Sequence, residues 1–212
     1  VKQERWGQKL LSQEKEQDLW MMIKDAMNSH DSVLFSDYNK GVFRGSLASK
    51  IIRNESERIL TLVDPKPANI NAFIGCDIVR PNRKEAEEIT GIKYDESNLE
   101  EIALSLVRIT QSKYVAITCG KDGAFMYDTD RNLSSLMSTK TEEFGDVTGA
   151  GDTFASVLGL SLCSGLDFTN SVRLANHGAR IVVGKIGTSV ATVEELKKAV
   201  RDEEYLKNKS KW

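Results

Sequence analysis

Gly145-Asp146-Val147-Thr148-Gly149-Ala150-Gly151-Asp152 leads directly into Thr153–Leu166, a run without a single charge and with helical spacing of its apolar residues. Two glycines flank an alanine, and an aspartate follows at once. Glycines just ahead of a helix let backbone N–H groups approach an anion closely, and the helix start adds partial positive charge. An aspartate in the first turn beside such a cradle can take a proton from an alcohol attacking a bound phosphoryl group. The plainer alternative is an ordinary loop in which Asp152 complements the helix dipole. A short Gly-rich string does not choose between them, so the context must.

The context is that of an ordinary globular protein. At 212 residues, with 40% hydrophobic and 28% charged side chains, the chain can bury one sizeable core. A net charge of −2 with scattered Lys and Arg argues against a nucleic-acid partner, and the Lys207–Lys211 tail reads as solvated. Cys76, Cys119 and Cys163 are odd in number, far apart and unpatterned, as reduced thiols in a cytoplasmic protein are. His30 and His177 are too few for a zinc site. No signal peptide opens the chain, and the run after Asp152 is too short and too rich in small residues to span a membrane.

Taken in order, Val1–Leu11 reads as a strand already in progress. Glu14–Asn28 reads as a helix with Ser12 as cap and Leu19, Met22, Ile23, Ala26 and Met27 on one face. Ser32–Ser36, Ile59–Val63, Ile78-Val79 and Tyr114–Thr118 read as short buried strands. Between them fall helices from Ser46 to about Glu57, from Arg83 to Thr90 before Gly91, and around Leu99–Val107. Lys121-Asp122-Gly123 turns the chain into Ala124–Tyr127 as a hairpin, and Leu133–Lys140 adds a strand. Helices follow at about Gly151–Ser164, Asp167–Val183 and Thr192–Asn208, the last with the spacing of a capping box between Thr192 and Glu195. Strand–helix alternation predicts an α/β fold with a largely parallel sheet, and no linker or repeat divides the chain. Ligands in such folds sit beyond the carboxyl ends of the strands, where Asp37, Asp64, Asn82 and Gly120 fall.

Each of these loops has a plain reading too. Asn82-Arg83-Lys84-Glu85 has the spacing of a capping box. Thr118-Cys119-Gly120-Lys121-Asp122-Gly123 is also a strand end and hairpin turn. Asp64-Pro65-Lys66 and Asp37-Tyr38-Asn39-Lys40-Gly41 are also solvated turns, although both lysines suit a polyanionic ligand. Asn176 reads as a surface or capping polar residue, and His177 as structural.

The string Asp146-x-Thr148-Gly149-Ala150-Gly151-Asp152-Thr153-Phe154 resembles the C-terminal signature of the ribokinase-like (PfkB) carbohydrate kinases. Longer strings resemble the heptose-phosphate kinases of that superfamily: Gln8-Lys9-Leu10-Leu11, Ser36–Gly41, Val63–Lys66, Pro81–Glu85, Val172–Asn176 and Ile181–Thr188. The resemblance implies a ribokinase-like three-layer α/β/α sandwich and ATP-dependent phosphorylation of a sugar hydroxyl, with heptose 7-phosphate phosphorylated at its anomeric position. It implies Asp152 as proton acceptor and Gly149, Ala150 and Gly151 as the phosphoryl cradle. Thr118, Gly120, Gly123, Asn176 and Lys66 would meet the nucleotide, with Asn176 facing the adenine. Asn82 and Glu85 would stand by Mg²⁺ and its waters, and Asp37 and Lys40 would meet the sugar phosphate. A monovalent cation, K⁺, would lie near Asp146, Thr148 and Gly187.

By the same resemblance, the family's N-terminal strands, sugar-contacting loops and lid, and the nucleotidyltransferase domain that often follows this kinase, are expected to be absent from Val1–Trp212. The chain is therefore expected to be a single partial kinase domain, homodimeric or completed by an N-terminal segment. Two other readings stay open: a lidless nucleotide-binding fragment or one chain of a split kinase, and a different sugar or nucleoside kinase of the superfamily.

Overall fold

Short apolar runs punctuated by Asp, Pro and Gly become the strands of one mixed sheet, in the order β1-β2-β3-β4-β5-β6. The computed structural model describes residues 11–55, 59–138, 149–185 and 189–209. The strands are β1 (Ser32–Ser36), β2 (Leu60–Asp64), β3 (Ile78–Val79), β4 (Tyr114–Thr118), β5 (Ala124–Asp128) and β6 (Leu133–Met137). The first four run parallel, in a register that aligns Ser36 with Asp64 and Val63 with Val79. β5 returns antiparallel: at one end Cys119 N–H donates to the Gly123 carbonyl, and at the other Thr129 N–H donates to that of Lys113. The helices are α1 (Gln13–Met27), α2 (Leu47–Glu55), α3 (Arg83–Thr90), α4 (Leu99–Thr110), α5 (Ala150–Cys163), α6 (Phe168–Val183) and α7 (Val193–Lys209).

The chain divides into two compact units. The first comprises Val1–Thr118 with Phe125–Ser135, and the second Cys119–Ala124 with Leu136–Trp212. In the first, Leu62, Val63, Ile78, Val79, Val115, Ala116 and Ile117 are buried on central strands, each large side chain contributing about 1.5–3 kcal/mol. Leu47, Ile51 and Ile52 present the inward face of α2, as their spacing predicts. Phe35, Phe43 and Phe73 pack edge to face with centroids 5.4–5.7 Å apart. Each such pair contributes about 0.5–1.5 kcal/mol beyond burial. That cluster ties the loop after β1 to the 3-10 helix Pro67–Phe73, and so fixes two of the loops at the strand ends. In the second unit α6 packs against both α5 and α7. Gly178 makes the α5 contact close, since a Cβ there would stand 3.0 Å from Val157.

Several expectations are corrected. Met22 and Ala26 are exposed, so α1 buries a narrower stripe than its pattern suggests, with Met27 as its buried residue. Among the described residues β1 stands at the edge of the sheet, with Leu34 41% exposed and Phe35 buried. Ser46 precedes α2 and its carbonyl accepts the first helical bond, from Lys50 N–H, while its hydroxyl donates to Glu16 of α1. The 3-10 helix after β2 has no apolar period long enough to announce it. Val1–Leu10 and Thr139-Lys140 lie outside the described residues.

Candidate active site

The loops at the carboxyl ends of β1, β2 and β3 interlock in the first unit. Asp37 is buried, and its carboxylate accepts from Asn39 N–H (2.7 Å), Lys66 N–H (3.1 Å) and Asn69 Nδ2 (2.9 Å). Such a carboxylate organises loops more than it faces solvent, whereas Lys40 beside it is exposed. Parallel pairing continues past the strands: Asp37 N–H donates to Asp64 O at 3.0 Å, and Arg80 N–H to Val63 O at 2.8 Å. Asn82 forms a bridge with Thr118, which brings a fourth loop to the same rim. The strand order is sequential, so the rim follows from the strand direction and not from a reversal of order.

Two acids of this rim, Asp64 and Glu85, are paired with cations. Asp64 binds the buried Arg80 guanidinium. Burial nevertheless pushes the Asp64 carboxyl above its ordinary value, outweighing the pull of Arg80. Lys66 Nζ lies 2.5 Å from Glu85 Oε1, and that bond holds the lysine above its usual value. Asn82 and Glu85 form a reciprocal capping box at α3, with Glu85 N–H donating to Asn82 Oδ1 (3.0 Å) and Asn82 N–H to Glu85 Oε2 (2.9 Å). The plain reading of Asn-x-x-Glu thus holds. Each Glu85 oxygen carries one of these protein donors, while a carboxylate has about four acceptor positions. What remains suits water, so the pair fits an outer-shell place beside Mg²⁺, which keeps several of its waters. Among the described residues no group of three or more His, Cys, Asp or Glu could enclose a metal.

In the second unit, Gly149 occupies the N-cap of α5 at φ +81°, a conformation that a side chain would strain. A glycine cap offers no side-chain acceptor, and Thr153 N–H makes the first helical bond, to Gly149 O. The amides of Ala150, Gly151 and Asp152 therefore precede the hydrogen-bonded ladder. α1, α3 and α6, by contrast, carry side-chain caps from Ser12, Asn82 and Asp167. Asp152 stands exposed in that first turn. Gly120–Asp122 forms a 3-10 turn, and Gly123 takes φ +95° to close it. Asn176 is buried, and its Nδ2 donates to Met137 O at 2.9 Å, tying α6 to the end of β6. His177 Nε2 meets Glu203 of α7 at 2.8 Å, in keeping with a structural role. Asp146, Thr148 and Gly187 lie outside the described residues.

Sequence reasoning missed Arg80 and Asn69, the partners of Asp64 and Asp37. Neither belongs to a spaced motif; Arg80 meets Asp64 across the ends of adjacent strands, and Asn69 meets Asp37 from the 3-10 helix.

Comparison with known proteins follows the same lines. The profile of the "pfkB family carbohydrate kinase" matches residues 5–195. The Bifunctional protein HldE of Desulfatibacillum aliphaticivorans is 34% identical over 204 residues, covering 94% of this chain and 41% of that protein. Its namesake from Syntrophotalea carbinolica is 36% identical over 181 residues, covering 84% and 36%. The chain thus spans about two-fifths of the length of these relatives. Phosphofructokinase-2 from Escherichia coli in complex with potassium shares the fold with a TM-score of 0.76 at 17% identity, over 89% of this chain and 62% of that one. Ribokinase from Thermotoga maritima gives a TM-score of 0.70 at 22% identity, over 84% and 59%. The expected ribokinase-like α/β fold is therefore present. A profile that runs through nearly the whole sequence carries the assignment further than fold, and the chain belongs to the pfkB family of carbohydrate kinases.

Proposed function

We propose that this chain is the kinase portion of an enzyme that transfers the γ-phosphoryl group of ATP to a sugar hydroxyl, with heptose 7-phosphate accepting at its anomeric position. The observation that carries the reading is the start of α5, where an exposed Asp152 follows a helix N-terminus with no side-chain cap. The likeness to proteins named HldE supports the choice of sugar. As the hydroxyl oxygen bonds to the γ-phosphorus, the bond from that phosphorus to the β–γ bridging oxygen breaks and ADP leaves. Asp152 takes the hydroxyl proton. The amides around Gly149–Gly151 stabilise charge on the phosphoryl oxygens, aided by the helix dipole. Thr118, Gly120, Gly123 and Asn176 line the nucleotide, and Lys66 contributes a point charge. Lys40 meets the sugar phosphate, with its loop held by Asp37. Asn82 and Glu85 would hold waters of Mg²⁺, and the ion when bound would neutralise phosphate charge. A monovalent cation would lie near Asp146, Thr148 and Gly187, as the family resemblance implies; phosphofructokinase-2 from Escherichia coli, which shares the fold, forms a complex with potassium.

Two measurements test this. Calorimetry should show Mg²⁺-dependent ATP binding to the chain; silence from folded protein refutes the reading. In an active, full-length protein, Asp152→Asn keeps shape and removes the proton acceptor, so kcat with heptose 7-phosphate should fall by about 10²–10⁴-fold. ATP affinity and Tm should stay put, because a first-turn charge contributes only about 0.3–1 kcal/mol. Near wild-type turnover by that variant returns Asp152 to a dipole role.

A further inference from the structure

Lys66 has a fixed root and a movable head. Its backbone N–H is held by the buried Asp37 carboxylate at 3.1 Å, an oxygen that also accepts from Asn69. Pro67 follows and starts the 3-10 helix, so the backbone on both sides is committed. The ammonium sits at the end of a side chain 41% exposed, yet it reaches Glu85 Oε1 at 2.5 Å, on a carboxylate only 10% exposed. Glu85 Oε2 is meanwhile bound to Asn82 N–H, a contact in which the lysine takes no part. Asp64 has its own cation in Arg80.

We propose that the Lys66 ammonium is the resident counter-ion of Glu85, closing that carboxylate to divalent cations until a polyanion draws the lysine away. The inference rests on the kinase reading for the identity of that polyanion, a nucleoside triphosphate. The charge balance supports it. Asp37, Asp64 and Glu85 face Lys66 and Arg80, which leaves one formal negative charge over, too little to hold a strongly hydrated dication without phosphate ligands. Lysine suits the task because its ammonium is a compact charge on a flexible stem, able to follow a phosphate while its backbone stays anchored. A second cation at Oε1 meets Coulomb repulsion from the ammonium, strongest at short range and low local dielectric. Lys66 is thus a positioning residue that couples metal affinity to nucleotide occupancy.

The test is a Mn²⁺ titration of the full chain followed by electron paramagnetic resonance, without nucleotide and without any assay of turnover. Wild type and Lys66→Arg, which keeps the charge, should bind Mn²⁺ weakly. Lys66→Met should bind it tighter by about tenfold or more. The added Glu85→Gln change should abolish that gain. The capping bond to Oε2 does not involve Lys66, but Glu85 loses its cation, so Lys66→Met should fold with a lowered Tm that Mn²⁺ restores; Lys66→Gln serves in its place if the methionine variant does not fold. Equal Mn²⁺ affinity in wild type and Lys66→Met overturns the proposal, as does a gain that survives Glu85→Gln. Repeating the titrations with ATP separates the two readings. If ATP fails to raise Mn²⁺ affinity in any variant, the kinase reading falls while the counter-ion result stands on its nucleotide-free arm.

Discussion

Gly45→Ala should destabilise the protein in one background and not in another. A Cβ at Gly45 would stand 2.1 Å from Glu16 Oε2 and 3.1 Å from its carboxyl carbon. Gly45 is not among the residues of positive φ, so alanine is acceptable to the backbone itself. Glu16 is the far end of a flexible side chain and will swing aside, so the cost is the interactions it abandons, not steric strain. From α1 it accepts from both the amide (3.1 Å) and the hydroxyl of Ser46 at the start of α2, and from Lys50 Nζ at 3.4 Å. These bonds hold the Glu16 carboxyl below its ordinary value. A charged cap of this kind contributes about 1–2 kcal/mol, and the half-exposed Lys50 pair adds little. Gly45→Ala and Glu16→Ala should each cost that amount, lowering Tm by about 2–4 °C per kcal/mol for a chain of this size. Once Glu16 is gone, however, nothing is left to displace. In the Glu16→Ala background Gly45→Ala should be neutral or stabilising by about 0.4–1 kcal/mol, because it restricts the unfolded chain. Urea denaturation of the four proteins completes the cycle. Equal destabilisation by Gly45→Ala in both backgrounds would show that the glycine is needed for some reason other than room for Glu16.

Two further outcomes follow from titratable groups. Glu195 is held down to about 2 by the Lys185 ammonium and by the amide and hydroxyl of Thr192. Its folded pKa lies below its unfolded one, so its stabilisation is present above about 4.5 and lost as pH falls towards 2. The Tm gap between wild type and Glu195→Gln should therefore close over that window, and a gap independent of pH contradicts the assignment. Cys76 is buried, its thiol pushed up to about 12 by desolvation, and Cys119 is buried as well, while Cys163 at the end of α5 is exposed. Native protein should show one fast thiol towards an aromatic disulfide reagent, and Cys163→Ser should remove it; a fast thiol surviving in that variant refutes the burial pattern.

Residues that act on neighbours three or four positions away were legible in the chain itself. Asn82 with Glu85, Thr192 with Glu195, Ser12 at α1 and Gly149 ahead of α5 behave as their spacing predicts, because helical geometry carries such pairs together wherever the helix lies. The parallel strands were legible for a similar reason, since short buried apolar runs have few other homes. Tertiary structure alone decided the partners of the carboxylates. Glu16 reaches Ser46, Asp37 reaches Lys66 and Asn69, Asp64 reaches Arg80, and Lys66 reaches Glu85, each across an intervening element. It also decided that Met22 and Leu34 stay in solvent although their sequence pattern calls for burial. A local motif states which groups are available for hydrogen bonding. Which distant group meets them depends on strand register and on the depth of burial, and those exist only once the sheet has assembled.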